Sequence, residues 1–304
     1  MSIHTAFVTN WPRLFLATLW VSFCLLWAVS VQASVTVRDD LGREVTFSEP
    51  ARRVVSLLPS LTETVCMLGA CSRLVGVDRY SNWPALVEQL PRMGGGVDPS
   101  IEAIVAARPD VVLMAGSSRV TDRLESLGLR VVRMEPRSLS DARRVLLSVA
   151  KILGVPSGEA VRIWKDIESE WLAAGSTVPP VMLNRRVYFE VSPVPYGAGP
   201  TSFIGETLNH LGLVNIIPSD MGPYPKINPE FVVRAQPDII MLGDSNLVSL
   251  KLRPGWSALH AVQHERLCVF SQAASDVLVR AGPRLGEAAH LIAGCLKRLA
   301  QMSR

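Results

Sequence analysis

Two segments of this chain repeat one another, and this internal repeat constrains the fold more than any other feature. Residues 102–114, EAIVAARPDVVLM, align without a gap on residues 230–242, EFVVRAQPDIIML. Each copy predicts a helix, a Pro-Asp break and then an apolar strand. Because the copies are much too far apart for a solenoid repeat, they predict two similar α/β lobes.

The prolines just ahead of the repeated segments mark where the two helices should begin. Pro99 and Pro229 suit the first turn of a helix, where the missing N–H leaves no hydrogen bond unmade. Asp98 and Asn228 stand directly before them, and both side chains can accept hydrogen bonds from free helical amides. The sequence therefore predicts two capped helices, at equivalent places in the two lobes.

Strands and helices alternate along the rest of the chain, which is typical of α/β architecture. Short apolar runs predict the strands, at 53–58, 74–77, 111–114 and 131–132 in the first half and at 187–191, 239–242 and 267–270 in the second. Between the halves, residues 141–173 carry apolar side chains at helical spacing, interrupted by GVPSG at 154–158. A helical connector is stiff, so it would leave a cleft between the lobes in which a ligand could bind.

The expected fold is therefore α/β, with two similar lobes joined by one long helix. The N-terminal lobe would cover residues 34–140, the connecting helix 141–175 and the C-terminal lobe 176–304.

The first 33 residues form a separate segment. Arg13 is its only charged residue when histidine is neutral, residues 14–29 are mainly apolar, and small residues lead up to Ala33. This pattern is typical of a secretory signal peptide cleaved after Ala33, which would place the mature protein in the periplasm. An uncleaved membrane anchor is the alternative.

Composition limits the kinds of partner that we expect and the number of disulfides that the chain can form. Hydrophobic residues make up 48% of the chain and charged residues 19%, which excludes general disorder. The net charge is only +4 and no long basic run occurs, so we expect no nucleic-acid partner. Four cysteines follow the signal segment, namely Cys66, Cys71, Cys268 and Cys295. They allow up to two disulfides in three possible pairings, or free thiols.

The sequence carries no familiar catalytic signature. It has no Gly-x-Ser-x-Gly elbow, phosphate-binding loop or His-Glu-x-x-His motif. His260 and His264 could share a helix face, but no nearby third ligand completes a metal site. We therefore expect a binding protein without a catalytic cofactor or a resident metal.

Aromatic residues occur in loops that are predicted to follow strands. Tyr80 and Trp83 follow the strand at 74–77, Tyr196 follows the strand at 187–191, and Tyr224 precedes the second repeated helix. Glycines 94–96 take the corresponding place before the first repeated helix. Aromatic faces give large contact areas at low entropic cost, and glycine lets the backbone approach a bulky ligand. The loops predict a ligand site, although each aromatic alone could instead cover the core of its lobe.

Glu102 and Glu230 occupy equivalent places in the first turns of the two repeated helices. A carboxylate there is favoured by the positive end of the helix dipole, which is a sufficient explanation for either one alone. The equivalent placement would also put two negative charges at one edge of the cleft, where basic residues of a partner could dock. The residues by themselves leave both explanations open.

Several motifs, taken in order, resemble one protein family. They are RVVSLLPSLTE at 53–63, LVGVD at 74–78, IE at 101–102 and PDVVL at 109–113. The chain resembles the periplasmic solute-binding proteins for cobalamin, haem and iron-siderophores, the helical-backbone metal receptors of ABC importers. This resemblance implies two α/β lobes joined by one long helix, little hinge closure and a ligand between the lobes. It also implies that Glu102 and Glu230 pair with arginines of a permease dimer, which works with its ATPase.

Within that family, the loops at 80–84 and 222–225 and the segment at 276–280 resemble the cobalamin-binding branch. Glycines 94–96 depart from it, because that branch can present a tryptophan there. Together the loops and the resemblance predict a set of ligand contacts, namely Ser60, Tyr80, Trp83, Gly95, Tyr196, Tyr224, Asp276 and Arg280. The expected cargo is cobalamin or another metal chelate, carried by a monomer.

Other cargoes and one other class of function stay open at this stage. For haem, the resemblance implies an axial Tyr or His, and Tyr80 could serve. For a siderophore it implies arginines in the cleft, with Arg79, Arg119 and Arg280 as candidates. A periplasmic enzyme on the same scaffold is the competing class, since a fold does not fix a function.

Overall fold

The computed structural model describes residues 34–118, 120–192 and 195–302. The predicted signal peptide, residues 1–33, and Arg119 lie outside the described residues. Within them, no helix combines the length and the apolar character that crossing a membrane would require.

The first half of the chain forms a hairpin followed by a parallel sheet. The strands are β1 (Val35–Arg38), β2 (Glu44–Phe47), β3 (Val54–Ser56), β4 (Leu74–Val77), β5 (Val111–Met114) and β6 (Val131–Arg133). The helices are α1 (Pro59–Met67), α2 (Ile101–Ala106) and α3 (Thr121–Ser126). Strands β1 and β2 pair with each other, and the parallel sheet has the order β4-β3-β5-β6. All four residues of β5 are buried, as expected for a strand covered on both faces.

Two helices follow, where one long connecting helix is expected over 141–175. They are α4 (Leu139–Leu153) and α5 (Ser157–Gly175). Helix α4 ends because Gly154 adopts a left-handed conformation with φ of 67°. Pro156 then lies directly before α5 and cannot continue a helical hydrogen-bond ladder. The connector is therefore a pair of helices with a glycine break.

The second half forms the other sheet. Its elements are β7 (Arg186–Ser192), β8 (Tyr196–Gly197), α6 (Phe203–His210), β9 (Val214–Asn215), α7 (Pro229–Ala235), β10 (Ile239–Gly243), α8 (Asp244–Leu252), α9 (His260–Gln263), β11 (Leu267–Phe270), α10 (Gln272–Leu278) and α11 (Leu285–Met302). The sheet has the order β11-β10-β7-β8, and β9 also pairs with β7. Only β8 is antiparallel to its neighbour among these described pairings.

The repeated segments form equivalent helix–strand units, α2 with β5 and α7 with β10. Asn228 caps α7, which begins at Pro229 as predicted. The prediction for the first copy is wrong by two residues, because Ser100 caps α2 and the helix begins at Ile101. The Asp98 carboxylate is instead paired with the Arg79 guanidinium at 2.6 Å.

The four described cysteines form two disulfides. Cys66 pairs with Cys71, which joins the end of α1 to the turn before β4. Cys268 pairs with Cys295, which joins β11 to α11. The structure thus selects one of the three pairings that the sequence leaves open.

Candidate ligand-binding cleft

A cavity of about 700 Å³ lies between segments from the two halves of the chain. Its walls include the carboxyl ends of strands and the starts of the following helices, which is where α/β folds bind ligands, together with the loop before α7 and the end of α10. The lining residues are Leu58, Pro59, Ser60, Tyr80, Glu135, Pro136, Arg137, Val191, Phe203, Met221, Pro223, Tyr224, Asp276, Val279, Arg280 and Ala281. This set contains five of the predicted ligand contacts: Ser60, Tyr80, Tyr224, Asp276 and Arg280.

Tyr80 presents the most accessible aromatic ring of the cavity. It is 61% exposed, and its backbone N–H donates to the carboxylate of Asp78 at 2.7 Å. Asp78 is fully buried, and this burial raises the pKa of its carboxyl group, against the effect of hydrogen bonds from Ser81 and Tyr80. The loop is thus fixed through its backbone while the ring stays available to a ligand.

Tyr224 supplies an aromatic wall from the other half of the chain. Its ring lies edge-on to the ring of Phe203, with centroids 6.3 Å apart. Burial raises the pKa of the Tyr224 phenol, so the hydroxyl stays protonated at neutral pH. Phe203 was not among the predicted contacts, although it follows directly on the glycine-rich loop at 197–202.

Arg280 lines the cavity, but its guanidinium is already occupied. It donates to Glu63 and to Asn82, both at 2.8 Å, and to the carbonyl oxygen of Tyr80 at 3.1 Å. A fourth contact of 3.1 Å joins it to the carboxylate of Asp276. The side chain of Arg280 is only 8% exposed. It joins the loops of the first half to α10 of the second and has little donor capacity left for a ligand.

Arg284 extends the same network to a second guanidinium. It donates to both carboxylate oxygens of Glu63, at 3.0 and 2.7 Å. We name Glu63, Asn82, Asp276, Arg280 and Arg284 the inter-lobe ion cluster. Glu63 is 1% exposed, and a buried carboxylate needs such partners to stay charged.

The sequence interpretation misses Glu63, Asn82 and Arg284 of the inter-lobe ion cluster. It also misses Phe203, Glu135 and Arg137 of the cavity lining. The available signal was Glu63 itself, an acidic residue within the otherwise uncharged helix α1. A charged side chain in such a helix is expected to have a buried partner. The sequence does not indicate which of its many arginines that partner is.

Trp83, Tyr196 and Gly95 are absent from the cavity lining. The Arg284 guanidinium lies over the ring of Trp83, with its Cζ 4.9 Å from the ring centroid. Trp83 therefore packs against the inter-lobe ion cluster. Tyr196 forms a β-bridge with Lys226 and is 41% exposed. A side chain at Gly95 would collide with the Asp98 carboxylate and displace it from its contact with Arg79.

Glu102 and Glu230 each form the second residue of a helix, α2 and α7 respectively. Both residues are exposed, and no ion pair to either carboxylate occurs among the residues that the structure describes. The two carboxylates are therefore accessible to a partner, as the docking hypothesis requires.

Comparison with known proteins identifies the family. Residues 54–273 match the family model described as periplasmic binding protein. This chain belongs to the periplasmic binding protein family. The family resemblance inferred from the motifs at 53–63 and 74–78 is thereby confirmed.

Two relatives and one solved structure illustrate the similarity. An uncharacterized ABC transporter substrate-binding lipoprotein of Bacillus subtilis is 27% identical over 264 residues, which cover 83% of this chain and 82% of the relative. A vitamin B12-binding protein of Vibrio cholerae is 25% identical over 259 residues, 82% of this chain and 90% of the relative. The structure of a periplasmic haem-binding protein from Pseudomonas aeruginosa has a TM-score of 0.69 and 26% identity, covering 81% of this chain and 92% of that one. The α/β fold is confirmed, and two of these three proteins are named for the ligand that they bind, vitamin B12 in one and haem in the other.

Proposed function

We propose that this protein is the extracytoplasmic substrate-binding component of an ABC importer and that its cargo is a corrinoid such as cobalamin. The observation that carries the proposal is the cavity of about 700 Å³ with aromatic side chains from both halves of the chain. Vitamin B12-binding relatives that align over most of the chain support the choice of cargo.

The cavity suits a large, flat ligand with many polar groups at its rim. Tyr80 offers an exposed ring on one side, and the half-buried ring of Tyr224, which packs against the buried ring of Phe203, lies on the other. Ser60 lies at the start of α1, where the serine hydroxyl can bond to polar groups of the cargo. The ligand is bound and handed on without chemical change.

Docking to the membrane permease would use Glu102 and Glu230. Their exposure and equivalent placement on α2 and α7 suit pairing with arginines on the two subunits of a permease dimer. The N-terminal segment would direct a monomeric receptor to the periplasm, where it captures cargo for the permease and its ATPase.

Haem is the second candidate cargo, because the exposed phenol of Tyr80 at the cavity could act as an axial ligand to iron. The similarity to the haem-binding protein of Pseudomonas aeruginosa supports keeping it. A corrinoid would leave the Tyr80 phenol free of metal, whereas haem would bring a phenolate–iron absorption band.

The test is a titration of the purified chain from Ser34 onward, followed by tryptophan fluorescence. The ligands are cyanocobalamin, cobinamide, haemin and two ferric siderophores, with absorbance correction because all are coloured. Saturable binding of corrinoids with at least tenfold weaker binding of the others is expected. Preference for haemin or a siderophore would change the assigned cargo and leave the assignment as a receptor unchanged. Turnover of a bound ligand would contradict the receptor assignment itself.

A further inference from the structure

Four charged side chains line the cleft within the described residues, and they differ in how far their charge is already neutralised. They are Glu135, Arg137, Asp276 and Arg280. Arg280 is saturated by the inter-lobe ion cluster. Asp276 accepts hydrogen bonds from Asn82 and Gln272, both at 2.8 Å, and contacts Arg280. These two charges are therefore committed to the protein itself.

Arg137 is in a different state. Its side chain is 59% exposed, and the nearest carboxylate, that of Glu135, lies 3.8 Å away. At that distance the pair is an ion contact without a close hydrogen bond. A contact of this kind between accessible side chains contributes little stability. The charge of Arg137 is therefore the most available one in the cleft.

The backbone of Arg137, in contrast, is held firmly. Its N–H donates to the carboxylate of Asp141 at 3.2 Å, and its carbonyl oxygen accepts from the N–H of Phe203 at 2.8 Å. The next contact along the chain is similar, since the N–H of Leu139 donates to Glu206 at 2.7 Å. A fixed backbone with an accessible guanidinium is suited to recognising a charged group at low entropic cost.

Arg137 also lies where two cavities meet. It lines the cleft and a neighbouring cavity of about 690 Å³ bounded by the β1–β2 hairpin and the start of α4. The other arginines of that second cavity are engaged. Arg144 pairs with Asp40 and Asp141 at 2.7 and 3.0 Å, and Arg38 donates to the carbonyl oxygen of Gly42.

We propose that Arg137 recognises an anionic group on the rim of the cargo and directs it toward the second cavity. This inference rests on the proposed function, because it concerns a ligand bound in the same cleft. A guanidinium binds a carboxylate or a phosphodiester through two parallel hydrogen bonds. The partner group is therefore a carboxylate of a porphyrin or the phosphodiester of a corrinoid. Because the contact of Arg137 with Glu135 is weak, a ligand anion can replace Glu135 as its partner at low cost.

The test uses two pairs of ligands. In one pair the members differ only in the anionic groups, and in the other they differ in the segment that carries the anionic group. Haemin is paired with its dimethyl ester, and cyanocobalamin is paired with cobinamide, which lacks the phosphodiester and the nucleotide. Dissociation constants are measured for the wild-type chain, Arg137→Ala, Arg137→Lys and Glu135→Gln. The control is Arg162→Ala, because Arg162 is an exposed arginine of α5 outside the cleft lining.

Whichever pair binds, Arg137→Ala should weaken binding of the member that carries the anionic group about tenfold or more, and binding of the member that lacks it less than twofold. Arg137→Lys should fall between, since it keeps the charge but loses the paired hydrogen bonds. Glu135→Gln should strengthen the anionic member about twofold to fivefold. Affinity of the wild type for that member should fall with salt, and Arg137→Ala should reduce this dependence.

The possible failures are separable. If the wild type binds one of the pairs but Arg137→Ala affects both members equally, or neither, the inference about Arg137 is wrong and the receptor function stands. If the wild type binds none of the four ligands, the proposed cargo class falls, and this inference falls with it. If Arg162→Ala lost as much affinity as Arg137→Ala, the effect would come from net charge, and the inference would also be overturned.

Discussion

The carboxylate of Glu63 in helix α1 accepts hydrogen bonds from the Arg284 guanidinium at 3.0 and 2.7 Å, joining two residues that lie 221 positions apart in the chain. The same carboxylate also accepts from Arg280 at 2.8 Å. This buried arrangement of one acid and two arginines is the centre of the inter-lobe ion cluster, and it predicts a large effect on stability.

Replacing Glu63 by Gln should lower the free energy of unfolding by about 3 kcal/mol, because two buried guanidinium groups would lose the buried carboxylate that they share. The measurement is urea unfolding followed by circular dichroism. The matched control is Asp166→Asn, whose partner Arg162 forms an ion pair in which both side chains are about two-thirds exposed. That change should cost less than about 1 kcal/mol. Equal effects of the two changes would contradict the role of the cluster.

The exposed ring of Tyr80 predicts a direct effect on ligand affinity. Changing Tyr80 and Tyr224 together to Ala should weaken cargo binding by about 2 kcal/mol or more, because both rings would lose buried contact with the ligand. The dissociation constant is measured by fluorescence titration. Tyr196→Ala is the control, since Tyr196 does not line the cavity. An unchanged dissociation constant in the double variant would place the site elsewhere.

The two exposed carboxylates predict separate effects on binding and transport. Changing Glu102 and Glu230 together to Lys should leave the affinity for cargo unchanged and abolish uptake, because permease arginines would be repelled. Cargo affinity is measured on purified protein, and uptake in cells that depend on the importer. Glu159→Lys together with Glu168→Lys, two exposed residues of α5, is the matched change in charge, and this variant should transport normally. Normal uptake by the double variant would refute docking through α2 and α7.

Asp39 predicts a pH dependence of stability. Burial alone would raise the pKa of its carboxyl group, but hydrogen bonds from the backbone N–H of Arg43 and from the Arg133 guanidinium outweigh burial and lower it. A lowered pKa in the folded state means that the unfolded chain takes up the proton first as the solution is acidified. The resulting stability is complete above the ordinary Asp value of 3.8 and is lost as the pH falls through the folded-state value.

The measurement is the difference in unfolding free energy between the wild type and Asp39→Asn at several pH values. Asn removes the charge but keeps the shape of the side chain. The wild type should be more stable by about 2 kcal/mol at pH 7, and the difference should shrink below about pH 4. A difference that stays constant between pH 7 and pH 3 would show that the stability does not come from the ionised carboxylate of Asp39.

Much of the fold follows from local sequence patterns. The repeated Pro-Asp segments predict β5 and β10, and Asn228 and Pro229 predict the start of α7. The start of α2 is mispredicted because Asp98 prefers a charged partner, Arg79, which the sequence does not identify. The connecting helix is divided because Gly154 adopts a left-handed conformation there.

The site is less predictable than the fold. Tyr80 and Tyr224 could be proposed because aromatic residues in loops after or between elements are visible in the sequence. Arg280 could be selected as a cleft residue, but its main partner, Glu63, lies 217 positions away, and no local pattern connects the two. Trp83 is similar, since its ring packs under Arg284, which lies in the turn before α11 and is about 200 positions away in the chain. Contacts of this kind depend on the tertiary fold and cannot be found from spacing.

The segment at 137–139 has one further consequence. It is hydrogen-bonded to α6 through Phe203 and Glu206, while at a second place the inter-lobe ion cluster joins α1 to α10 and α11. The two halves of the chain are therefore fastened at both places before any cargo arrives. If the proposed cargo binds in the cavity between these two contacts, they set the width of its site, and opening the site would require breaking them.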